Sequence, residues 1–320
     1  MPCFHPMHGY KSPGTGKWIS YKSTNNFNLE PLTVPCGKCT GCRTEYSRQW
    51  AMRIMHEASL WDKKNCFVTL TYNDENLPRQ GNSTTLIKKD FQDFMKRLRE
   101  PNEELGWEPP IPIICPKTKY NLNPIRYYHC GEYGDQFGRP HYHAILFNTT
   151  FPDTKQIQGK KDLKTSIILD SIWGKGFTSV GAVTFESASY VAGYVQKKIN
   201  GEQKQEHYQI VDQETGEYFG QRQQEYSTMS RRPGIAGLWF AKHKDDVYPS
   251  DNIHIRGKEM RPPKYYDRLY EIECPGDMEK IKENRKEAMK ETEHLRSPEA
   301  LRQAEKTHKA RMAIYKRNKL

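Results

Sequence analysis

Apolar and polar positions follow two different periods along the middle of the chain, and these predict helices and strands in turn. Apolar residues recur at helical spacing over residues 46–61, between a cap at Thr84 or Thr85 and Pro101, and over 188–199. Segments rich in β-branched and aromatic residues lie between these helices, and they predict strands over 66–72, 125–132, 141–147 and 177–185. The mixture predicts an α+β fold.

The regions on either side of this core, which we assign to residues 46–200, differ from it in composition. Residues 1–45 are rich in Gly, Pro, Ser and Asn and hold four of the eight cysteines, so we expect a Cys-rich N-terminal arm. Residues 201–275 are polar with scattered aromatic residues, and we expect them to pack on the core as an extension. Residues 276–320 interleave acidic and basic side chains, which predicts a charged helical tail with a helix start at Pro298.

The charge balance indicates the chemical class of the partner. The chain has 320 residues, with 50 Lys and Arg against 39 Asp and Glu, a formal net charge of +11, and 12% aromatic residues. Positive charge attracts phosphates and exposed bases stack on aromatic rings, so nucleic acid is the expected partner. No run approaches the roughly 20 apolar residues that cross a bilayer, and the first residues lack an apolar signal segment. We therefore expect no membrane partner and a cytosolic protein whose cysteines are reduced or metal-bound.

A pair of histidines is the first candidate for chemistry. His141 and His143 are separated by one residue in a predicted strand, so their imidazoles project from the same face. Two such nitrogens can bind one divalent metal, usually with an oxygen donor as companion. Glu132 ends the preceding predicted strand, and the turn residues after it predict a hairpin loop that brings it alongside the pair. Asp135 in that loop is the second choice of oxygen ligand, and a pair of ordinary surface histidines is the alternative.

Two tyrosines on a predicted helix are the second candidate. Tyr190 and Tyr194 are four residues apart and therefore share one face, and Lys197 and Lys198 follow about one turn later. A phenol with a pKa near 10 is a weak nucleophile unless its charge is stabilised. A metal bound to a phosphate, helped by a lysine, can provide that stabilisation, which would allow a phosphodiester to be transferred onto tyrosine. The alternative is that both phenols are core or rim residues.

Three segments of the chain together resemble a known superfamily. In this order, Phe67-Val-Thr-Leu-Thr-Tyr72, His141-Tyr-His143 and the block from Tyr190 to Lys198 resemble motifs 1, 2 and 3 of the HUH endonucleases, which initiate rolling-circle replication. The block Tyr-Val-Ala-x-Tyr-Val-x-Lys-Lys resembles the two-tyrosine initiators of small isometric single-stranded DNA phages. Residues 34–43 and 50–53 are similar to the replication initiators of gokushoviruses, within the Microviridae. The resemblance covers roughly residues 1–200.

The resemblance implies a fold, an activity and a metal. The family fold, the HUH endonuclease fold, is a central antiparallel sheet flanked by helices. Family members nick one strand at the origin, keep the 5′ end as a phosphotyrosine ester, leave a 3′ hydroxyl as primer and later rejoin the strand. His141 and His143 match the paired histidines that bind Mg or Mn with a nearby third ligand, for which we choose Glu132.

The resemblance also implies nucleophiles and partners. Tyr190 and Tyr194 match the two nucleophile positions, and Lys197 or Lys198 matches the accompanying lysine. The implied substrate is single-stranded DNA at the phage replication origin, in the cytoplasm of the bacterial host cell. The sequence contains no Gly-x-x-x-x-Gly-Lys-Ser/Thr phosphate loop, so we expect a host helicase and the host replication machinery to open the duplex.

The N-terminal cysteines predict a metal site of another kind. Cys36, Cys39 and Cys42 form a Cys-x-x-Cys-x-x-Cys motif, and Cys3 or His5 could supply a fourth ligand. Four such ligands suit structural Zn, which would stabilise an arm that has no core of its own. Similar spacing occurs in iron–sulfur proteins. Unligated reduced thiols are the third possibility.

Two functions from other classes remain open on the sequence. A non-catalytic, zinc-stapled DNA-binding protein would use its histidine pair structurally, and its tyrosines could be replaced without effect. A metal-dependent hydrolytic nuclease would use the histidine pair to activate water, and it would form no covalent intermediate with DNA.

Overall fold

The computed structural model describes residues 3–12, 14–20, 29–117, 119, 121–134, 137–194, 203–212 and 214–317. These residues form two compact units. The first comprises the described parts of 1–48 and 267–320, and the second those of 49–266. None of the helices in the described ranges combines the length and apolar character that crossing a bilayer requires.

Short strands and mostly longer helices alternate through the described ranges. The strands are β1 (Met7–Lys11), β2 (Trp18–Ser20), β3 (Pro31–Val34), β4 (Asn65–Tyr72), β5 (Arg79–Gln80), β6 (Ser83–Thr84), β7 (Arg126–Tyr133), β8 (Pro140–Phe147), β9 (Lys155–Gln156), β10 (Leu163–Thr165), β11 (Gly176–Gly181), β12 (Gln209–Val211), β13 (Tyr218–Gln221), β14 (Tyr226–Met229), β15 (Ile253–Ile255) and β16 (Lys258–Met260). The helices are α1 (Thr40–Ala58), α2 (Lys88–Leu98), α3 (Ile167–Trp173), α4 (Phe185–Tyr194), α5 (Gln203–Tyr208), α6 (Gly237–Val247), α7 (Lys264–Glu273), α8 (Pro275–Glu291) and α9 (Pro298–Arg317).

The second unit is built on a seven-stranded antiparallel sheet. Its strand order is β14-β7-β8-β4-β11-β10-β9, so the hairpin of β7 and β8 lies inside the sheet. The edge strand β14 comes from beyond residue 200 and pairs with β7. With helices on its faces, this sheet confirms the predicted α+β fold with a central antiparallel sheet.

One face of the sheet packs against α2 and α3. In β4, buried and partly buried side chains alternate, and Leu70 and Tyr72 point to this face together with Tyr142 of β8. They pack with Phe94 of α2 and Trp173 of α3. Burying each such side chain contributes about 1.5–3 kcal/mol, so this apolar layer holds both helices on the sheet.

The opposite face packs against α1 and α4. Ile145 of β8 and Tyr128 of β7 are buried there with Ile54 of α1. Helix α4 contributes Ala188, Val191 and Ala192 to this layer, together with the larger Tyr194 at its C-terminal end. Small side chains let the helix axis lie close to the strands. The groups predicted to do chemistry on β8 and α4 therefore lie on one face of the sheet.

The predicted strands over 66–72, 125–132 and 141–147 correspond to β4, β7 and β8. The strand predicted over 177–185 is wrong after Gly181, because Thr184 and Ser187 form a reciprocal cap that begins α4 at Phe185. The backbone N–H of Thr184 donates to Ser187 Oγ at 2.8 Å, and the N–H of Ser187 donates to Thr184 Oγ1 at 3.1 Å. The helix predicted over 188–199 thus starts earlier, and its predicted second half lies outside the described residues.

The start of α2 also differs from the prediction. Neither Thr84 nor Thr85 caps it, since Thr84 Oγ1 donates to the carbonyl of Gly138 and Thr85 Oγ1 accepts from the N–H of Gln223, each at 3.0 Å. The N-cap is Ile87, whose side chain makes no capping hydrogen bond. Thr84 instead holds the segment before α2 against the loop that precedes β8, and Thr85 holds it against the segment that precedes β14.

The first unit combines the N-terminal arm with the C-terminal helices. The arm forms a three-stranded antiparallel sheet of order β2-β1-β3 before α1 begins. Helix α9 begins at Pro298, as predicted, and its His308 contacts Phe4 and Thr44, with ring centroids 5.5 Å apart and a nitrogen-to-oxygen distance of 3.2 Å. The Cys-rich arm and helical tail expected from the sequence are therefore both present.

Candidate active site and cysteine cluster

The two histidines lie on the inner hairpin of the seven-stranded sheet. In the antiparallel register, His141 faces Glu132 and His143 faces Cys130 across the β7–β8 pair. The side chains of His143 and Glu132 meet at 2.9 Å, between Nε2 and Oε1, and both are buried, with 5% and 4% of the residue exposed. The hairpin expected from the turn residues thus brings a carboxylate into direct contact with the histidine pair.

The second nitrogen of each imidazole has a partner that orients its ring. His143 Nδ1 lies 3.0 Å from Thr69 Oγ1 on β4. His141 Nδ1 lies 2.8 Å from the carbonyl oxygen of Arg139 and must donate to it, because a carbonyl only accepts. The lone pair of His141 is therefore on Nε2, which suits a metal ligand. Burial is the largest influence on the pKa of His141 and lowers it, which keeps that lone pair unprotonated.

The loop before β8 is fixed to β4 by Arg139. Its guanidinium donates to Asp74 Oδ1 at 2.6 Å and to the carbonyl of Tyr72 at 2.9 Å. The same residue supplies the carbonyl that orients His141. Residues 138–143 therefore fix both the position of this loop and the orientation of the His141 imidazole.

Helix α4 carries the two tyrosines over the histidines. Both phenol rings contact His143: Tyr194 stacks on the imidazole with centroids 4.9 Å apart and planes 7° apart, and Tyr190 lies edge-on at 5.4 Å. The two rings are 4.3 Å from each other. Tyr190 is 39% exposed and Tyr194 only 7%. The structure therefore brings both tyrosines, His143 and Glu132 into one contiguous group.

Two further residues of this group, Phe67 and Thr69, are not among the site residues that the sequence predicts. Thr69 orients His143, and Phe67 stacks beside the same imidazole with centroids 5.9 Å apart. Both lie in the segment 67–72 that resembles motif 1. The signal that could have found them is the two-residue period of a strand, which places both side chains on the face of β4 that His143 shares.

A divalent cation was expected between the histidines and Glu132. Two ligands of an octahedral ion at 2.0–2.1 Å lie about 3 Å apart, close to the 2.9 Å between His143 Nε2 and Glu132 Oε1. His141 is farther away, with its ring centroid 6.5 Å from that of His143. In the part of the chain that the structure describes, these three do not form a group whose ligand atoms all lie within 4.8 Å. His143 and Glu132 are thus spaced like two adjacent ligands of one cation, whereas His141 does not lie within the same ligand distance.

Three predicted residues cannot be placed in this group. Lys197 and Lys198, the expected lysines, and Asp135, the second choice of oxygen ligand, lie outside the described residues.

The four N-terminal cysteines form a separate cluster in the first unit. Their sulfur atoms all lie within 4.8 Å of one another, and none is in a disulfide: Cys3, Cys36, Cys39 and Cys42. The sulfurs of Cys3 and Cys39 are 3.9 Å apart. Four thiolates 2.3 Å from a central ion have sulfurs about 3.8 Å apart, so the spacing suits tetrahedral coordination of one ion. This cluster could bind a metal such as Zn.

Backbone N–H groups point at the sulfurs of this cluster. The N–H of Cys39 donates to Cys36 Sγ at 3.3 Å, and that of Cys36 donates to Cys3 Sγ at 3.2 Å. Burial alone would raise the pKa of Cys39, but N–H donors from Cys42 and Phe4 stabilise its thiolate and lower that pKa to about 6. His5, the other candidate for the fourth ligand, instead pairs with Glu305 at 2.9 Å.

Comparison with known proteins gives related phage proteins. The family model of the replication-associated protein ORF2/G2P matches residues 65–199. The replication-associated protein VP4 of Bdellovibrio phage phiMH2K is 31% identical over 281 residues, covering 86% of this chain and 79% of the relative. The replication-associated protein ORF2 of Spiroplasma virus 4 is 30% identical over 312 residues, covering 91% and 88%. The replication-associated protein ORF4 of Chlamydia phage 1 is 29% identical over 198 residues, covering 57% and 44%. No solved structure gives a significant match.

The matched part of the chain contains the whole candidate active site described above. The family model begins at the first residue of β4 and extends past α4, so it spans the strand, the hairpin and the helix that meet at His143. Two of the relatives extend the similarity over most of the chain on both sides. The chain therefore belongs to the family of replication-associated proteins of Microviridae-like phages, the replication initiators that its motifs resemble.

Proposed function

We propose that this replication initiator nicks one strand of DNA at the phage origin by attack of a tyrosine hydroxyl on a phosphodiester. The observation that carries the proposal is the contact of two phenol rings with one buried imidazole that is hydrogen-bonded to a carboxylate: Tyr190, Tyr194, His143 and Glu132. The names of the related proteins support a role in replication.

In the proposed step, the phenol oxygen forms a bond to phosphorus and the bond from phosphorus to the 3′ oxygen breaks. The phenol gives up its proton, and the leaving 3′ oxygen takes one up to become the 3′ hydroxyl that primes synthesis. The 5′ phosphate remains on the protein as a phosphotyrosine ester. One phosphodiester is exchanged for another, so the reverse attack by a 3′ hydroxyl can later rejoin the strand without ATP.

The residues around the phenols would hold and orient a divalent cation, Mg or Mn. The proposed ligands are His141 Nε2, His143 Nε2 and Glu132 Oε1. Thr69 would orient the ring of His143 and the Arg139 carbonyl that of His141, so that both Nε2 atoms face the cation. A cation bound there would polarise the scissile phosphate and neutralise charge that develops on its oxygens. Phe67 and the apolar layer beneath α4 exclude water from the buried side of the group.

Two nucleophiles suit a cycle that both opens and closes a circle. After one tyrosine holds a 5′ end, the other can attack the regenerated origin while the first ester is still intact. Lys197 and Lys198 are proposed to stabilise the developing negative charge. The proposed substrate is single-stranded origin DNA in the cytoplasm of the bacterial host, with the host helicase and replication machinery as partners.

The test is detection of the covalent intermediate. A single-stranded origin oligonucleotide labelled at its 3′ end, incubated with the full chain and Mg or Mn, should give a labelled adduct that survives denaturation. The double variant Tyr190→Phe/Tyr194→Phe and addition of a chelator should each abolish the adduct. Tyr218, which is 56% exposed in strand β13, gives a matched control, and Tyr218→Phe should form the adduct at the wild-type rate.

Other results would favour the two alternatives. Cleaved DNA with no adduct would indicate a metal-dependent hydrolytic nuclease. DNA binding with no cleavage under any of these conditions would indicate a non-catalytic, zinc-stapled DNA-binding protein.

For the first unit we infer that Cys3, Cys36, Cys39 and Cys42 hold one structural Zn. The support is the spacing of the four sulfurs and the backbone N–H groups directed at them. A multi-iron cluster would hold the sulfurs farther apart than this group does. The ion would link the segment around Cys3 to the start of α1, where an irregular arm has little apolar surface to bury.

A further inference from the structure

A basic cavity lies on the face of the seven-stranded sheet opposite the tyrosines. It has a volume of about 660 Å³, within the range that holds a small-molecule ligand, and it lies between α2 and the strands β7 and β14. Tyr127 and His129 of β7 line it. Their partners in β8, Leu146 and Ala144, alternate with the positions that carry the candidate site, so the cavity is on the other face.

The walls of the cavity carry positive charge without any acidic residue among the lining groups. Lys88, Arg99, Arg231 and Arg232 are all exposed there. Among the described residues, Lys88, Arg231 and Arg232 have no carboxylate within ion-pair distance. The next residue in α2, Lys89, points away and pairs with Asp93. Charges that the protein leaves unneutralised around a concavity favour an anionic ligand.

Two buried polar atoms at the base of this cavity lack partners within the described part of the chain: His129 Nε2 and Tyr226 Oη. His129 is 1% exposed, its Nδ1 lies 2.7 Å from Thr228 Oγ1, and Phe91 stacks on its ring at 3.4 Å. Gly131 allows the Tyr226 ring to lie across β7, since a Cβ there would come within 2.9 Å of that ring. A buried polar atom without a partner is costly, and a ligand can supply the missing hydrogen bond.

From this geometry we propose that the cavity binds one nucleotide of single-stranded DNA. The phosphate would lie among Lys88, Arg231 and Arg232, and the base would contact the rings of Tyr127 and Tyr226 with its polar edge toward His129. The imidazole of His129 and the phenol of Tyr226 stay uncharged, because burial lowers the pKa of His129 and raises that of Tyr226. Neutral donors and acceptors match the edge of a base, and aromatic rings with cations are the usual surface for unpaired nucleotides.

The topology gives a route from the tyrosines to the cavity. Only β7 and β14 lie between β8 and the sheet edge, a distance of about 10 Å at normal strand spacing. A single strand could pass around that edge, whereas a duplex keeps its bases stacked and cannot insert one into a concavity without unpairing it. The inference rests on the proposed function, since it names a second contact for the same DNA strand.

The test measures DNA binding without the chemistry. In the Tyr190→Phe/Tyr194→Phe background with a chelator present, fluorescence anisotropy would follow a labelled single-stranded oligonucleotide. Arg231→Ala/Arg232→Ala should weaken binding roughly tenfold, and the slope of log Kd against log salt should fall by about 0.7 for each lost phosphate contact. Lys89→Ala is the matched control for Lys88→Ala, and only the latter should weaken binding.

A second measurement locates the base. Photocrosslinking of an oligonucleotide that contains 5-iododeoxyuridine should give peptides linked at Tyr127 or Tyr226. Crosslinks confined to other regions, or arginine variants that bind within about twofold of the background chain, would overturn the proposal. If the arginine variants lost as much affinity for duplex DNA as for single strands, the cavity would be a duplex-binding surface instead. If polyglutamate competed as effectively as DNA, it would be an acidic-peptide site.

The same experiments separate this inference from the proposed function. A wild-type chain that binds oligonucleotide through the cavity but forms no adduct would overturn only the proposed function. A chain that forms the adduct, but whose cavity variants bind DNA normally, would overturn only the inference.

Discussion

Tyr190 and Tyr194 have different surroundings although they are on one helix face. Tyr190 is 39% exposed, and Tyr194 is 7% exposed and stacked on His143. Tyr190 is therefore the more accessible of the two side chains to a DNA strand that would arrive from solvent. We predict that Tyr190→Phe abolishes the first covalent adduct, whereas Tyr194→Phe still forms that adduct and fails in the second transfer that closes a circle.

The measurement is a two-step assay with a labelled origin oligonucleotide followed by a second, unlabelled one. Tyr218→Phe serves again as the exposed control. Loss of the first adduct in Tyr194→Phe but not in Tyr190→Phe would reverse the assigned order.

His56 gives a prediction about pH and stability. Its ring stacks on Trp239 at 3.6 Å and its Nδ1 lies 2.8 Å from Tyr266 Oη. Burial, with a smaller effect from His243, lowers its pKa to about 4. In the unfolded chain the pKa of histidine is near 6.5, so between these values the unfolded state binds the extra proton. Stability from this group is present above pH 6.5 and is lost as the pH falls toward 4, by roughly 3 kcal/mol.

Urea unfolding at several pH values checks this expectation, with His56→Gln for comparison. The wild-type chain should lose more stability than the variant between pH 7 and pH 4. Parallel curves for the two chains would show that His56 is not the group responsible.

The sequence predicts residue roles that follow from the spacing of residues within one strand or hairpin. It does not predict roles that depend on which other strand packs alongside. The spacing of His141 and His143 fixes a common face, and the hairpin loop brings Glu132 beside them. Thr69 is different, because a threonine in a strand gives no sign of the imidazole that the next strand places 3.0 Å away.

At the scale of elements, a buried ion pair connects α1 to β7. Arg126 Nε donates to Glu57 Oε1 at 2.6 Å, and Glu57 Oε2 accepts the N–H of Ala236 at the same distance. Both charged side chains are almost fully buried, with 4% and 1% exposed. Loss of one partner leaves the other charge in a site that water cannot reach.

We predict that Glu57→Gln lowers the free energy of unfolding by about 3–5 kcal/mol. The pair of Lys89 and Asp93 on the surface of α2 is the control, and Asp93→Asn should lower the free energy of unfolding far less than Glu57→Gln does. Urea titrations of both variants provide the comparison. Equal effects would mean that burial does not determine the strength of these two pairs.

Short elements were the least predictable part of the fold. Helix α3 spans seven residues, so it offers less than two full turns of periodicity to recognise. Strand β14 has four residues, and its place in the sheet depends on pairing with β7, far earlier in the chain. The long strands β4, β7 and β8 carry clear alternation and aromatic content, and these were predicted.

At the scale of the molecule, the cysteine cluster allows a test by metal content. Purified protein should contain about one Zn per chain, and Cys36→Ser/Cys39→Ser should lose it. The expected structural result is faster proteolysis within residues 3–48, because the thiolates no longer hold the arm at the start of α1.

Two other outcomes would contradict the zinc assignment. Iron and inorganic sulfide in place of Zn would indicate an iron–sulfur cluster, and metal-free protein with an equally resistant arm would indicate ordinary thiols. Cys66→Ser is the control for metal content, since that cysteine is buried in β4 and is not a member of the cluster.

Contacts between distant segments set the limit of prediction for the whole chain. The arm and tail were each expected from composition, but composition does not indicate that His5 pairs with Glu305 or that Phe4 meets His308. Such contacts join segments about 300 residues apart, and a local pattern carries no information about them.

The two edges of the seven-stranded sheet have a consequence for how copies of the chain behave together. Strand β9 has two residues and β14 has four, so each edge exposes few unpaired backbone groups. Lys155 lies in one edge strand, and Arg231 and Arg232 follow the other. Short, positively charged edges repel one another and are poor templates for strand pairing. Crowded copies of this protein are therefore protected from joining their sheets into aggregates.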